Sequence, residues 1–252
     1  MFTAIAHRGD NRRFTENTRA AFDSSLEHGF TALELDLVRI KDGTVVLFHD
    51  DTLERLCGVS LNARDLTYHQ FKAAFPELLT LYEFMALYGR NDLSLNFEIK
   101  GDRYTFAGVE PYLSFCTDPL ISSFDLDLMR DVRAAGLPAG FLVHTGPELL
   151  SVLRDFPGAR IHASHELVPL LYGLQSALAA GNHTVYLYTV NQPAHADYLA
   201  GLPFISGVFT DNSEFGRRYA HSEITSTGDS NENRSVSEPF LRTPDAAVEF
   251  VA

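Results

Sequence analysis

Short apolar runs alternate with longer amphipathic segments along most of the chain. The runs that fit strands lie at 2–6, 32–38, 94–100, 120–123, 139–143, 160–163, 184–190 and 207–210. Between them, apolar residues recur at helical spacing, as in 17–28, 125–135 and 167–180. Each of these helical stretches is followed by a glycine, Gly29, Gly136 or Gly181, suited to the left-handed position just past a helix. Eight strand–helix repeats within 252 residues predict an α/β fold, a closed (β/α)₈ TIM barrel, over an open doubly wound sheet.

Two segments break the rhythm. Residues 44–49 follow the turn Lys41-Asp42-Gly43 and read as a hairpin return from the second strand. Residues 51–81 then form a short insertion between strands two and three, with a helix near 68–75. From His221 the chain is rich in Ser, Asn, Glu and Pro, so 1–220 is expected to be the barrel and 221–252 a disordered extension.

Charge and cysteine content narrow the partners. A net charge of -13 opposes a nonspecific grip on nucleic acid or anionic lipid. Cys57 and Cys116 form no CxxC motif and no disulfide framework, which fits reduced thiols in a cytoplasm. No apolar stretch reaches the roughly 18 residues of a membrane span, and charged residues from Arg8 to Arg13 interrupt any signal peptide.

The chemistry gathers on two strands. In Leu33-Glu34-Leu35-Asp36-Leu37 the carboxylates alternate with leucines, so Glu34 and Asp36 share one face with Cα atoms roughly 6.6 Å apart. Asn96, Glu98 and Lys100 share one face of the next strand, with Leu95, Phe97 and Ile99 on the other. Adjacent strands thus aim three acids at one place, where they repel unless a cation sits between them. An all-oxygen donor set of Glu34, Asp36 and Glu98 favours Mg²⁺ or Ca²⁺ over zinc. The alternative is a solvated charged face, or carboxylates paired with arginines.

His7 ends the first strand, in His7-Arg8-Gly9, and His49 ends the hairpin strand, in His49-Asp50. Two imidazoles at one mouth allow one to take a proton while the other gives one. Arg8 and Lys100 supply positive charge for an anionic substrate, with phosphate the natural guess, although Lys100 could simply neutralise Glu98. Asn17 is expected to cap or open the first helix rather than to touch substrate. The other histidines read as surface or packing residues, and His162-x-x-His165 is a weak metal signal with no third ligand.

Together, HRG (7–9), ENTRAAF (16–22), ELD (34–36), KDGTVVLFHD (41–50), Leu53-Glu54-Arg55 and NFEIK (96–100) resemble the glycerophosphodiester phosphodiesterase family. SSF (122–124), YTVN (188–191) and FTD (209–211) resemble its later motifs. The resemblance implies a TIM barrel that uses a divalent cation to hydrolyse small glycerophosphodiesters to glycerol 3-phosphate and an alcohol. It implies His7 and His49 as general acid and base, Glu34, Asp36 and Glu98 as metal ligands, and Arg8 and Lys100 as phosphate contacts. Tyr188 stands where the family usually has tryptophan, Phe14-Thr15 where it often has proline, and Asn212-Ser213 where a proline-containing close is common.

Two other readings of the residues stay open. One is a phosphodiester lyase similar to the sphingomyelinase D toxins, which stops at a cyclic phosphate. The other is a barrel that binds a phosphorylated ligand without catalysis.

Overall fold

Alternation of leucine and carboxylate in one strand needs two different environments on its two faces, and the barrel supplies them. The computed structural model describes residues 2–89, 92–101 and 103–219, and the extension expected from 221 lies outside them. The strands are β1 (Thr3–His7), β2 (Ala32–Arg39), β3 (Val45–Leu47), β4 (Ser94–Ile99), β5 (Asp118–Ser123), β6 (Ala139–Val143), β7 (Arg160–Ser164), β8 (Thr184–Tyr188) and β9 (Gly207–Thr210). All but β3 pair in parallel, and β1 bonds to both β2 and β9, closing an eight-stranded barrel. β3 runs antiparallel to the end of β2, as the Asp-Gly turn predicts.

Leu33, Leu35 and Leu37 of β2 and Leu95, Phe97 and Ile99 of β4 point outward into the shell of helices, each at most 2% exposed. Removing one such side chain from water contributes about 1.5–3 kcal/mol. The opposite faces of the same strands point into the barrel. Register then decides which polar groups meet: His7 of β1 lies beside Glu34, Glu34 beside Asn96, and Asp36 beside Glu98.

Predicted and observed strands differ by a residue or two, and the helices show more informative differences. The first begins at Arg19, not at 17, because Asn17 adopts a left-handed φ of 57° and Thr18 is the N-cap, its hydroxyl accepting from Ala21 N. The stretch 167–180 is not one helix. A 3₁₀ turn, His165–Leu167, leads into Val168–Gly173 and then Gln175–Ala180, with the break at Leu174, directly after Gly173, a poor helix former.

The insertion has its own small core, in which Phe48, Leu53, Phe71 and Leu78 are buried together. It carries the short helix Glu54–Cys57, a 3₁₀ turn and the helix Tyr68–Ala74. The following helix, Leu81–Tyr88, belongs to the barrel shell, since Leu81, Phe84, Met85 and Tyr88 pack in the main core. No helix among the described residues is long and apolar enough to cross a membrane.

Candidate active site

A cavity of about 150 Å³ opens at the C-terminal mouth of the barrel. His7, Arg8, Glu34, His49, Glu98 and Lys100 form its polar wall, and Phe124, Leu142, Tyr188 and Phe209 face them. Asp36 lies beneath, fully buried. All seven residues singled out in the sequence therefore meet in one place.

The first strand reaches the site through a tight reversal. Arg8 and Gly9 both have positive φ, 60° and 82°, and a Cβ at position 9 would lie 2.7 Å from the backbone of Ala21, so only glycine fits. The reversal turns the Arg8 amide onto Glu34 Oε2 at 3.0 Å and folds the Arg8 guanidinium back over Asp36, with Nε 2.9 Å from Oδ2.

Ligand atoms of Glu34, Asp36 and Glu98 all lie within 4.8 Å of one another, and this is the only such cluster of potential metal ligands among the described residues. Asp36 is paired with both cations: Oδ2 meets Arg8 and accepts from Asn17 Nδ2 at 2.8 Å, and Oδ1 lies 3.1 Å from Lys100 Nζ. Burial opposes its charge, but Lys100 and Arg8 outweigh burial and hold its carboxyl well below the usual range. Glu34 shows the reverse. Burial, with Asp36 and Glu98 nearby, pushes its carboxyl well above the ordinary value, and its Oε1 is buried with no partner in the protein.

Two cations against three buried carboxylates leave the ionised form of Glu34 uncompensated and one of its oxygens open. That donor set fits a hard divalent ion. Lys100 is paired with Glu98 as well as Asp36, and it also lines the cavity.

Each of the two histidines is held by a carboxylate. His7 Nδ1 donates to Asp211 Oδ1 at 2.8 Å, and His49 Nδ1 donates to Asp50 Oδ1 at 2.6 Å. A carboxylate only accepts, so each bond places the proton on Nδ1 and leaves Nε2 free of that carboxylate, and both histidines line the cavity. Asp211 is gripped in turn by the side-chain amides of Asn11 and Asn191, both at 2.7 Å. Burial opposes its charge, but the hydrogen bond and charge of His7 lower its carboxyl to about 2.

Some partners escaped the sequence reading. Asp50 and Asp211 stood inside quoted motifs without a role, and Glu16 and Arg55 were likewise unassigned. Asn17 is neither N-cap nor first-turn residue: from its left-handed position its amide brackets Asp36, accepting from Asp36 N at 3.3 Å as well as donating to the carboxylate. Of the weak His162-x-x-His165 pair, His162 is fully buried in the barrel while His165 is exposed, so the two do not converge. Tyr188, at the usual tryptophan position, is fixed by its hydroxyl donating to Val143 O at 2.8 Å.

The model of the glycerophosphoryl diester phosphodiesterase family matches residues 7–215. The chain belongs to that family. A glycerophosphodiester phosphodiesterase of Caldanaerobacter subterraneus is 35% identical over 236 residues, covering 83% of this chain and 94% of the relative. The structure of the Thermotoga maritima family member superposes with a TM-score of 0.75 at 28% identity, covering 86% of this chain and 98% of that one. An Oleispira antarctica phosphodiesterase, solved in complex with the product sn-glycerol-3-phosphate, has the same fold, with a TM-score of 0.71 at 23% identity over 86% of this chain and 96% of that one. This family member is thus an enzyme, a phosphoric diester hydrolase.

Proposed function

We propose that the chain hydrolyses small glycerophosphodiesters to glycerol 3-phosphate and an alcohol, with His7 and His49 as general acid and base and with a divalent cation bound. The observation that carries this is the pairing of two Nδ1-anchored histidines with a three-carboxylate cluster in one cavity. The product named for the Oleispira antarctica protein supports the same substrate class.

Glu34, Asp36 and Glu98 hold the cation, Mg²⁺ or Ca²⁺ by their oxygen donors, and when bound it neutralises charge developing on phosphate and favours the ionised glycerol hydroxyl. Arg8 and Lys100 line the cavity on the same side and lend positive charge to the phosphate. The Nε2 of one histidine takes the proton from the glycerol hydroxyl next to the ester as that oxygen attacks phosphorus. The Nε2 of the other protonates the departing alcohol. Their roles then exchange as water opens the cyclic phosphate. Phe124, Leu142 and Tyr188 give the opposite side of the cavity an apolar lining.

Release of glycerol 3-phosphate from glycerophosphocholine, glycerophosphoethanolamine and glycerophosphoglycerol tests this, with EDTA and then with Mg²⁺, Ca²⁺ or Mn²⁺ restored. Metal-dependent release is expected. Accumulation of a cyclic phosphate would show a lyase, and no product with any pairing would overturn these three diesters as substrates. A cytoplasmic setting completes the proposal, supported by the unpaired thiols of Cys57 and Cys116. Cell fractionation that recovers the protein outside the cytoplasm would refute that part.

A further inference from the structure

Leu53-Glu54-Arg55 has no part in the proton transfers above, yet its arginine meets two carboxylates that themselves contact Arg8 and His49 of the polar wall. Leu53 is fully buried in the small core of the insertion and anchors the short helix Glu54–Cys57. From that helix the Arg55 guanidinium reaches two carboxylates at once. Nε lies 2.6 Å from Asp50 Oδ2 and Nη2 3.1 Å from Asp50 Oδ1. On the other side, Nη1 lies 2.8 Å from Glu16 Oε2 and Nη2 2.7 Å from Glu16 Oε1.

Both carboxylates pass the contact inward. Asp50 Oδ1 also accepts from His49 Nδ1 at 2.6 Å. Glu16 Oε1 also accepts from Arg8 Nη1 at 3.1 Å, and Arg8 is paired with Asp36. Asp211, the partner of His7, is held differently, by neutral amides of Asn11 and Asn191.

We infer that Arg55 is a positioning residue, by which the insertion fixes the plane of the Asp50 carboxylate that orients His49 and the Glu16 carboxylate that orients Arg8. A planar fork that engages both oxygens of a carboxylate fixes orientation as well as distance, which a lysine point charge does not. The Arg55 side chain is 48% exposed, so solvent screening reduces what its pairs add to stability. The readout that marks positioning is therefore turnover, measured on folded protein.

The inference rests on the assignment of His49 as acid or base, so the experiment keeps the two apart. kcat and KM for glycerophosphocholine are measured with saturating Mg²⁺ on the full chain, for the parent, Arg55→Gln, Asp50→Asn and the double variant, with His49→Ala as reference. Arg55→Gln is expected to lower kcat about 10-fold with KM within about twofold, a share of the usual effect of an acid–base group. In the Asp50→Asn background the same change should cost clearly less than in the parent, because the share that acts through His49 is already lost while the share through Glu16 and Arg8 remains.

Full additivity, or a raised KM at unchanged kcat, overturns the inference, the latter by making Arg55 a substrate contact. Arg55→Lys, which also carries the cycle where Arg55→Gln fails to fold, is expected to stay near the glutamine variant. Complete recovery of kcat with lysine shows that charge alone suffices and overturns the positioning role. Normal turnover by His49→Ala defeats the underlying assignment instead, whereas an inactive His49→Ala beside an uncoupled Arg55 defeats only the inference.

Discussion

His7 and Asp211 are 204 residues apart in sequence and 2.8 Å apart in space, because barrel closure pairs the first strand with the last and sets their C-terminal ends side by side. Asp211→Asn preserves shape but presents either an amide donor or a neutral acceptor to Nδ1, so the imidazole loses its fixed tautomer. We expect kcat to fall roughly 10²-fold, with KM little changed, while His7→Ala falls by roughly 10²- to 10⁴-fold. Unchanged turnover in Asp211→Asn would remove Asp211 from the mechanism.

Asn17 supports the buried charge of Asp36 from a left-handed backbone position, and it is itself 1% exposed. Asn17→Ala loses both hydrogen bonds to Asp36 and places an ordinary Cβ at positive φ. A loss of about 1–3 kcal/mol is expected for the orphaned groups, with a further backbone cost. Asn17→Gly should recover only the backbone share. Urea denaturation of the two variants separates the shares, and equal stability of parent and Asn17→Ala would contradict the bracketing role.

What could be read from the sequence was local and periodic. Glu34, Asp36, Glu98 and Lys100 were legible because a strand repeats every two residues, so alternation alone says which side chains share a face. His7 and His49 were legible as strand ends. Asp211 and Arg55 were not, because their partners arrive by barrel closure and by the packing of the insertion, neither of which has a period. Asn17 was misplaced for a related reason: a polar residue before a helix suits an N-cap, and only tertiary structure shows that Thr18 takes that place while Asn17 turns to Asp36. The helical spacing of 167–180 hid the break at Leu174 because apolar residues continue on both sides of it.

Glu98 and Glu34 differ in their protein partners, and that difference is open to a metal titration. Glu98 has Lys100, whereas Glu34 Oε1 has no partner in the protein. Glu34→Gln and Glu98→Gln each remove one hard oxygen charge, so the Mg²⁺ concentration for half activation should rise by roughly 10-fold or more in both. An unchanged titration for either residue would exclude it as a ligand.

His162 gives the barrel a built-in acid sensitivity. Its ring is fully buried against Phe209 at 4.7 Å between ring centres, and a Cβ on the neighbouring Gly140 would come within 2.7 Å of it. Neither ring nitrogen has a partner in the protein. Burial, with the charge of Arg160 adding to it, pushes the imidazole down to about 3. The unfolded chain takes up this proton near the ordinary histidine value of about 6.5, so between those limits the unfolded state holds more protons than the folded one. The contribution of His162 to stability is thus complete above the upper limit and is lost progressively as pH falls toward the lower one. The slope approaches at most about 1.4 kcal/mol per pH unit. His162→Leu, similar in volume and without a titrating group, should be less acid-sensitive. Denaturation of parent and variant across this window should give curves that diverge as pH falls, and parallel curves would show that His162 is not held neutral in the folded barrel.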